Sequence, residues 1–151
     1  MNYGKRAAEL SGEIAASRHY LHQHAELSFK EQETTAYLVE ELEKMGIPVQ
    51  KFDDYTGCIA TIKGGRPGNR TVLLRADIDA LPIQENSGVE FKSIHPGVMH
   101  ACGHDVHTSI LLGAVRVLEH YRDQIAGSVL FFFQPAEEIL KGGLMFAESS
   151  K

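Results

Sequence analysis

Only two cysteines occur in 151 residues, too few for a disulfide framework. Both thiols are therefore expected to be free, in a reducing, cytoplasmic setting. No apolar run is long enough to span a bilayer. The N-terminal Met-Asn-Tyr-Gly-Lys-Arg-Ala-Ala-Glu-Leu lacks the apolar core of a signal peptide. Basic residues are in the minority, 15 Lys and Arg against 20 Asp and Glu for a net charge of -5. That balance speaks against nucleic acid and anionic membranes as partners. The glycine-rich stretch from Gly64 to Asn69 has no Lys-Ser/Thr pair behind it, and a strand follows. It is read as a turn between strands, not a phosphate loop. What remains is 43% hydrophobic and 23% charged, an ordinary globular composition in a chain the size of one domain.

The apolar spacing predicts a helix over residues 5–22, with Ala8, Ile14, Ala15 and Leu21 among its apolar positions. His22 and His24, two apart, are read as surface or helix-end histidines. Ser28 and Glu31 have capping-box spacing ahead of Thr35, Leu38, Val39, Leu42 and Met45, so a second helix is expected there. Gly46 and Pro48 end it. Val49–Phe52 and Gly57–Lys63 read as strands, the latter with Cys58, Ala60 and Ile62 on one face. Thr71–Arg75 and Gly127–Phe133 read as interior strands, because continuous apolar runs suit burial on both faces. Residues 84–99 carry no periodicity and are expected to be a partly mobile loop. Ile110, Leu111, Ala114, Val115 and Leu118 mark a helix ending near Tyr121, with Asp105 as its candidate cap, and a last helix begins near Gly142. The alternation predicts an α/β domain, a three-layer αβα arrangement around a mixed, mostly parallel sheet.

Chemistry concentrates between His100 and Thr108, where one cysteine, three histidines and an aspartate fall within nine positions. Cys102 and His104 are two apart, so an extended or turning backbone sets both side chains on one side. Gly103 between them admits a positive φ. Thiolate with imidazole suits zinc and its neighbours; a buried cysteine beside helix-capping histidines is the plainer alternative for this motif alone. The positive end of the following helix is expected to lower the Cys102 pKa. Asp77 and Asp79 follow one apolar strand, and Glu137 and Glu138 follow another. Buried carboxylates need cations or hydrogen bonds, although a loop aspartate capping a turn is equally open at Asp77 and Asp79. Ligands in open α/β sheets gather beyond the carboxyl ends of the strands, so the three clusters are expected on one rim, around one metal ion.

Three segments together carry a family resemblance. Arg75-Ala-Asp77-Ile-Asp79-Ala-Leu-Pro82, His100-Ala-Cys102-Gly-His104-Asp105-Val-His107-Thr108 and Phe133-Gln-Pro-Ala-Glu137-Glu138 resemble the N-acyl-amino-acid amidohydrolases. That group takes in the hippurate and auxin-conjugate hydrolases, within the aminoacylase and carboxypeptidase superfamily of metallopeptidases. Arg18-x-x-Leu-His22-x-x-x-Glu26-Leu fits as well. The resemblance implies a zinc-peptidase-like fold and Cys102, His104 and Glu138 as ligands of a divalent metal. One or two ions are expected, zinc first, with manganese, cobalt or nickel as alternatives. It implies Glu137 as general base, Asp79 as an aspartate orienting a ligand, and Asp77, His100, Asp105 and His107 as supports. The substrate class would be N-acyl amino acids or small peptides.

Members of the family are more than twice this length, with two further histidine ligands and a smaller dimerisation domain. The chain is therefore expected to be the N-terminal part of a catalytic domain, with little or no hydrolysis alone. A non-catalytic metal-binding or oligomerising fragment is the alternative, since an exposed sheet edge would favour homo-oligomers. A cysteine hydrolase built on Cys102 ranks last, because it leaves the Glu137–Glu138 pair without a role.

Overall fold

The computed structural model describes residues 1–149. Its four strands are β1 (Val49–Lys51), β2 (Cys58–Lys63), β3 (Arg66–Asp77) and β4 (Ala126–Gln134), in the order β1-β2-β4-β3. The apolar β4 takes an interior place, as its composition requires. Its inward residues Val129, Phe131 and Phe133 meet Cys58, Ala60 and Ile62 of β2 in one core. The α/β class and the mixed sheet are as expected, but the sheet is not mostly parallel. The β1–β2 and β2–β4 ladders are antiparallel, and only β3–β4 is parallel. The reason is connectivity. A short return joins β1 to β2, whereas β3 reaches β4 through a helical crossover, which parallel neighbours need.

That crossover is α4 (His104–His120), and with α3 (Gln32–Lys44) it covers one face of the sheet. Leu38, Val39 and Leu42 from α3 join Leu111, Leu112 and Val115 from α4 against the strands. The expected first helix is two, α1 (Tyr3–Glu9) and α2 (Ser11–Gln23), broken at Leu10, which is buried where they meet. On the opposite face α5 (Gly142–Ser149) brings Phe146 into a stack on Phe132. Helices thus stand on both faces, and on the second face Phe52 packs edge-on against Phe132 beside this short helix.

Three further expectations change. β3 runs along an edge and not the interior, leaving Val72 and Leu73 about half exposed at 52% and 47%. It also starts at Arg66, so the Arg66–Asn69 part of the expected turn is strand, with a register shift between Arg66 and Thr71. Ser28 and Glu31 do not form a capping box. Glu26 takes that role, its carboxylate accepting from the Gln32, Glu33 and Thr34 amides at 3.1, 3.2 and 2.8 Å. Among the described residues no helix is long and apolar enough to cross a membrane.

Candidate metal centre

The parallel β3–β4 ladder sets the site, because it places Asp77 directly opposite Gln134. The loops that carry Asp79 and Glu137–Glu138 therefore leave the sheet side by side. Cys102 and His104 come to the same rim from the start of α4. Gly103 occupies the N-cap position at φ 100°, where a β-carbon would meet no neighbour within 4 Å. Glycine is needed there for its backbone freedom and not for space.

His104 is the hub, 2% exposed. Its Nδ1 lies 3.0 Å from the backbone oxygen of Asp79 and 3.3 Å from Asp79 Oδ1. A carbonyl can only accept, so Nδ1 carries the hydrogen and Nε2 keeps its lone pair in the neutral ring. Nε2 points at three carboxylates: Asp77 Oδ1 at 3.6 Å, Glu137 Oε2 at 3.7 Å and Glu138 Oε1 at 3.7 Å. Those separations are too long for hydrogen bonds. They match the spacing of about 3.3–3.8 Å between donors arranged tetrahedrally around zinc. Donor atoms of Cys102, His104 and Glu138 lie within 4.8 Å of one another. Glu138 Oε1 is buried with no hydrogen-bond partner, an arrangement that costs free energy unless a cation meets it. The donor set therefore fits a divalent metal ion.

The supporting groups separate by what they touch. Asp79 Oδ2 accepts from Ser28 Oγ at 2.7 Å and from the Glu138 amide at 3.0 Å. Burial alone would raise its pKa, but hydrogen bonds from His104, Ser28 and the Glu138 and Glu137 amides outweigh burial and hold it at about 2. For His104 burial disfavours the charged ring, yet Asp79, Asp77 and Glu138 prevail and raise its pKa. Asp77 is saturated: Oδ1 accepts from His107 Nδ1 at 2.7 Å and Oδ2 meets Arg75 Nη1 at 3.2 Å. Asp77, His104 and His107 do form a second close group, but the Asp77–His107 contact is a hydrogen bond.

Three expectations about this region are corrected. The Cys102 pKa is raised, not lowered, first by desolvation and then by Glu138, with Asp77 and Glu137 adding to it. Asp105 does not cap α4; its Oδ2 accepts from Arg18 Nε at 2.9 Å and His22 Nδ1 at 2.8 Å. His22 stands in the last turn of α2, so the helix-end reading holds, but it is buried and not at the surface, with its Nε2 3.0 Å from Glu85 Oε1. His24 does stand at the helix end, bonded to the Tyr20 carbonyl. His100 is buried with neither ring nitrogen paired, and burial holds its pKa down at about 4.

Glu85 escaped the sequence reading, and Glu31 was read only as half of a capping box. Glu85 also accepts from Ser87 and from the Ser93 amide, and its contact with His22 ties the 84–99 loop to α2. A usable signal was the four-residue spacing of Arg18 and His22, which sets both on one face of a helix. Glu85 has its pKa held at about 2, below the usual 4.5. Burial alone would raise it, but Ser87, the Ser93 amide and His22 overcome burial. A carboxylate with a depressed folded pKa adds stability that is complete above its unfolded value and fades as pH falls through the folded one. Urea unfolding is therefore expected to show stability declining from about pH 4.5 to about pH 2. Glu85→Gln should be less stable at neutral pH, with a flatter acid limb. Identical acid limbs for the two chains would contradict this role.

The fold and this donor set are those of a metallopeptidase domain. The chain belongs to peptidase family M20/M25/M40, whose family model matches residues 73–150. It is 46% identical over 135 residues to the N-acyl-L-amino acid amidohydrolase of Geobacillus stearothermophilus, covering 89% of this chain and 36% of that protein. It is 47% identical over 137 residues to thermostable carboxypeptidase 2 of Saccharolobus solfataricus, covering 90% and 34%. Among solved structures, the Bacillus subtilis YXEP protein, described as a dinuclear metal-binding peptidase, superposes with a TM-score of 0.90 at 42% identity. That match covers 95% of this chain and 40% of the other. The chain thus spans about a third of the length of the curated relatives it matches.

Proposed function

We propose that residues 1–151 form the N-terminal part of the catalytic domain of a metal-dependent amidohydrolase that cleaves N-acyl amino acids or small peptides. The observation that carries this reading is the convergence of Cys102, His104 and Glu138, with an unpartnered Glu138 oxygen among them. The amidohydrolase and carboxypeptidase names of the relatives support the substrate class. The dinuclear neighbour supports a centre of one or two divalent ions. Thiolate with imidazole favours zinc, and manganese, cobalt and nickel are the alternatives.

Cys102, His104 and Glu138 would hold the ion. A divalent ion held there acidifies a water and polarises an amide carbonyl. Glu137, with Oε2 3.7 Å from His104 Nε2 and a side chain 33% exposed, takes a proton from the attacking water and delivers it to the leaving amine. The Asp79 backbone oxygen fixes the tautomer of the His104 ring from behind, with the Asp79 carboxylate alongside it, as groups that support a ligand do. Asp77, clamped between Arg75 and His107, keeps the rim in register beside it.

The test is hydrolysis of N-acetyl and N-benzoyl amino acids by an active enzyme containing this chain. Activity is expected to vanish in chelator and to return with added zinc, manganese, cobalt or nickel. Activity that survives chelation but is lost on thiol alkylation would instead select a Cys102 nucleophile.

A further inference from the structure

We propose that Glu31 is a positioning residue for the metal centre: its buried carboxylate holds the Pro135–Glu138 turn in the conformation that presents Glu137 and Glu138 to His104. This inference rests on the metal-centre reading above and adds to it a residue far away in the chain. Glu31 directly precedes α3 and is 0% exposed. Its Oε1 accepts from the Ala136 amide at 2.9 Å, across 105 residues of sequence, and its Oε2 accepts from Thr56 Oγ1 at 2.5 Å. No cationic side chain pairs with it among the described residues. A carboxylate buried on those terms is disfavoured unless its bonds do something that an apolar side chain cannot.

The turn explains what they do. Ala136 is fully buried at φ 53°, a left-handed conformation that strains an L side chain. Its carbonyl accepts from the Lys141 and Gly142 amides at 3.1 and 3.3 Å. Gly142 approaches so closely that a β-carbon there would lie 1.7 Å from the Pro135 oxygen. Beyond the strained residue, the Glu138 amide donates to Asp79 Oδ2 at 3.0 Å. The amides on either side of Glu137 are thus each held by a buried carboxylate, Glu31 before it and Asp79 after it. Asp79 also backs His104, so one frame orients two of the three donors. Without Glu31 the Ala136 amide would be buried and unpaired, and the strained φ would be free to relax. The Glu137 and Glu138 side chains would then leave their present separation from His104.

The experiment titrates the metal-stripped enzyme containing this chain with Co²⁺ and follows the thiolate-to-cobalt charge-transfer band from Cys102, with far-UV circular dichroism as the folding control. Glu31→Ala is expected to weaken Co²⁺ binding by about 10–100-fold, as loss of a ligand-supporting group does, after correction for any unfolded fraction. Glu31→Gln keeps an oxygen for the Ala136 amide and should restore affinity to within about threefold, a minor change on that scale. A folded Glu31→Ala enzyme that binds Co²⁺ as the unsubstituted enzyme does would overturn the proposal. If Glu31→Ala does not fold, Glu31→Leu, which fills the volume without accepting a bond, replaces it under the same criteria. Failure of both to fold would overturn the claim that Glu31 acts on this turn and not on the fold at large. Absence of the cobalt band in the unsubstituted enzyme is the distinct result that overturns the metal-centre reading, and this inference with it.

Discussion

Glu137→Gln in an active enzyme containing this chain is expected to lower kcat by about 10²–10⁴-fold, the range for loss of a general base, while metal content stays unchanged. The two neighbouring carboxylates differ in their surroundings. Glu138 has an oxygen buried without a partner and a side chain 19% exposed, whereas Glu137 is 33% exposed. The more buried group suits a ligand, and the more open one can reach a water and then a leaving amine. Glutamine keeps the size of Glu137 and cannot take the proton, so the loss should fall on kcat and leave KM nearly unchanged. A variant with full kcat, or one that lost its metal, would remove Glu137 from the role of base.

The second large effect is Cys102→Ser. Cys102 is exposed and free, so its replacement should change the stability of the metal-free chain by no more than about 0.5 kcal/mol. Metal binding is another matter, because a serine hydroxyl is a far poorer zinc ligand than a thiolate. An ion that binds only the folded chain stabilises it by about 2.7 kcal/mol when present at a hundred times Kd. A variant whose affinity has fallen a hundredfold gains only about 0.4 kcal/mol at that concentration. Zinc should therefore raise the melting temperature of the unsubstituted chain clearly and that of Cys102→Ser hardly at all. Equal rises would show that zinc stabilises the chain from elsewhere.

The parts legible in the sequence are those where one local rule acts alone. Phe131 to Phe133 had to be interior strand, and the spacing of Leu38, Val39 and Leu42 had to be a helix face. The cluster of Cys102, His104 and Glu138 was legible because ligand chemistry recurs at strand ends and the three motifs agree. What was misread depends on tertiary contacts that no local pattern records. Ser28 and Glu31 have the right spacing for a cap, yet each is drawn to a remote partner, Asp79 for one and the Ala136 amide for the other. His22 is at a helix end as read, but nothing local to it announces that Asp105 and Glu85 close over it and bury it. Strand direction was hidden too, because β1 and β2 carry no mark of which neighbour they will pair with.

X-ray absorption at the zinc edge on the zinc-loaded chain addresses the centre most directly. One sulfur at about 2.3 Å, with nitrogen and oxygen at about 2.0–2.2 Å, is the expected shell, and the sulfur should disappear in Cys102→Ser. A shell of nitrogen and oxygen alone in the unsubstituted chain would contradict the assignment of Cys102, His104 and Glu138 to one ion.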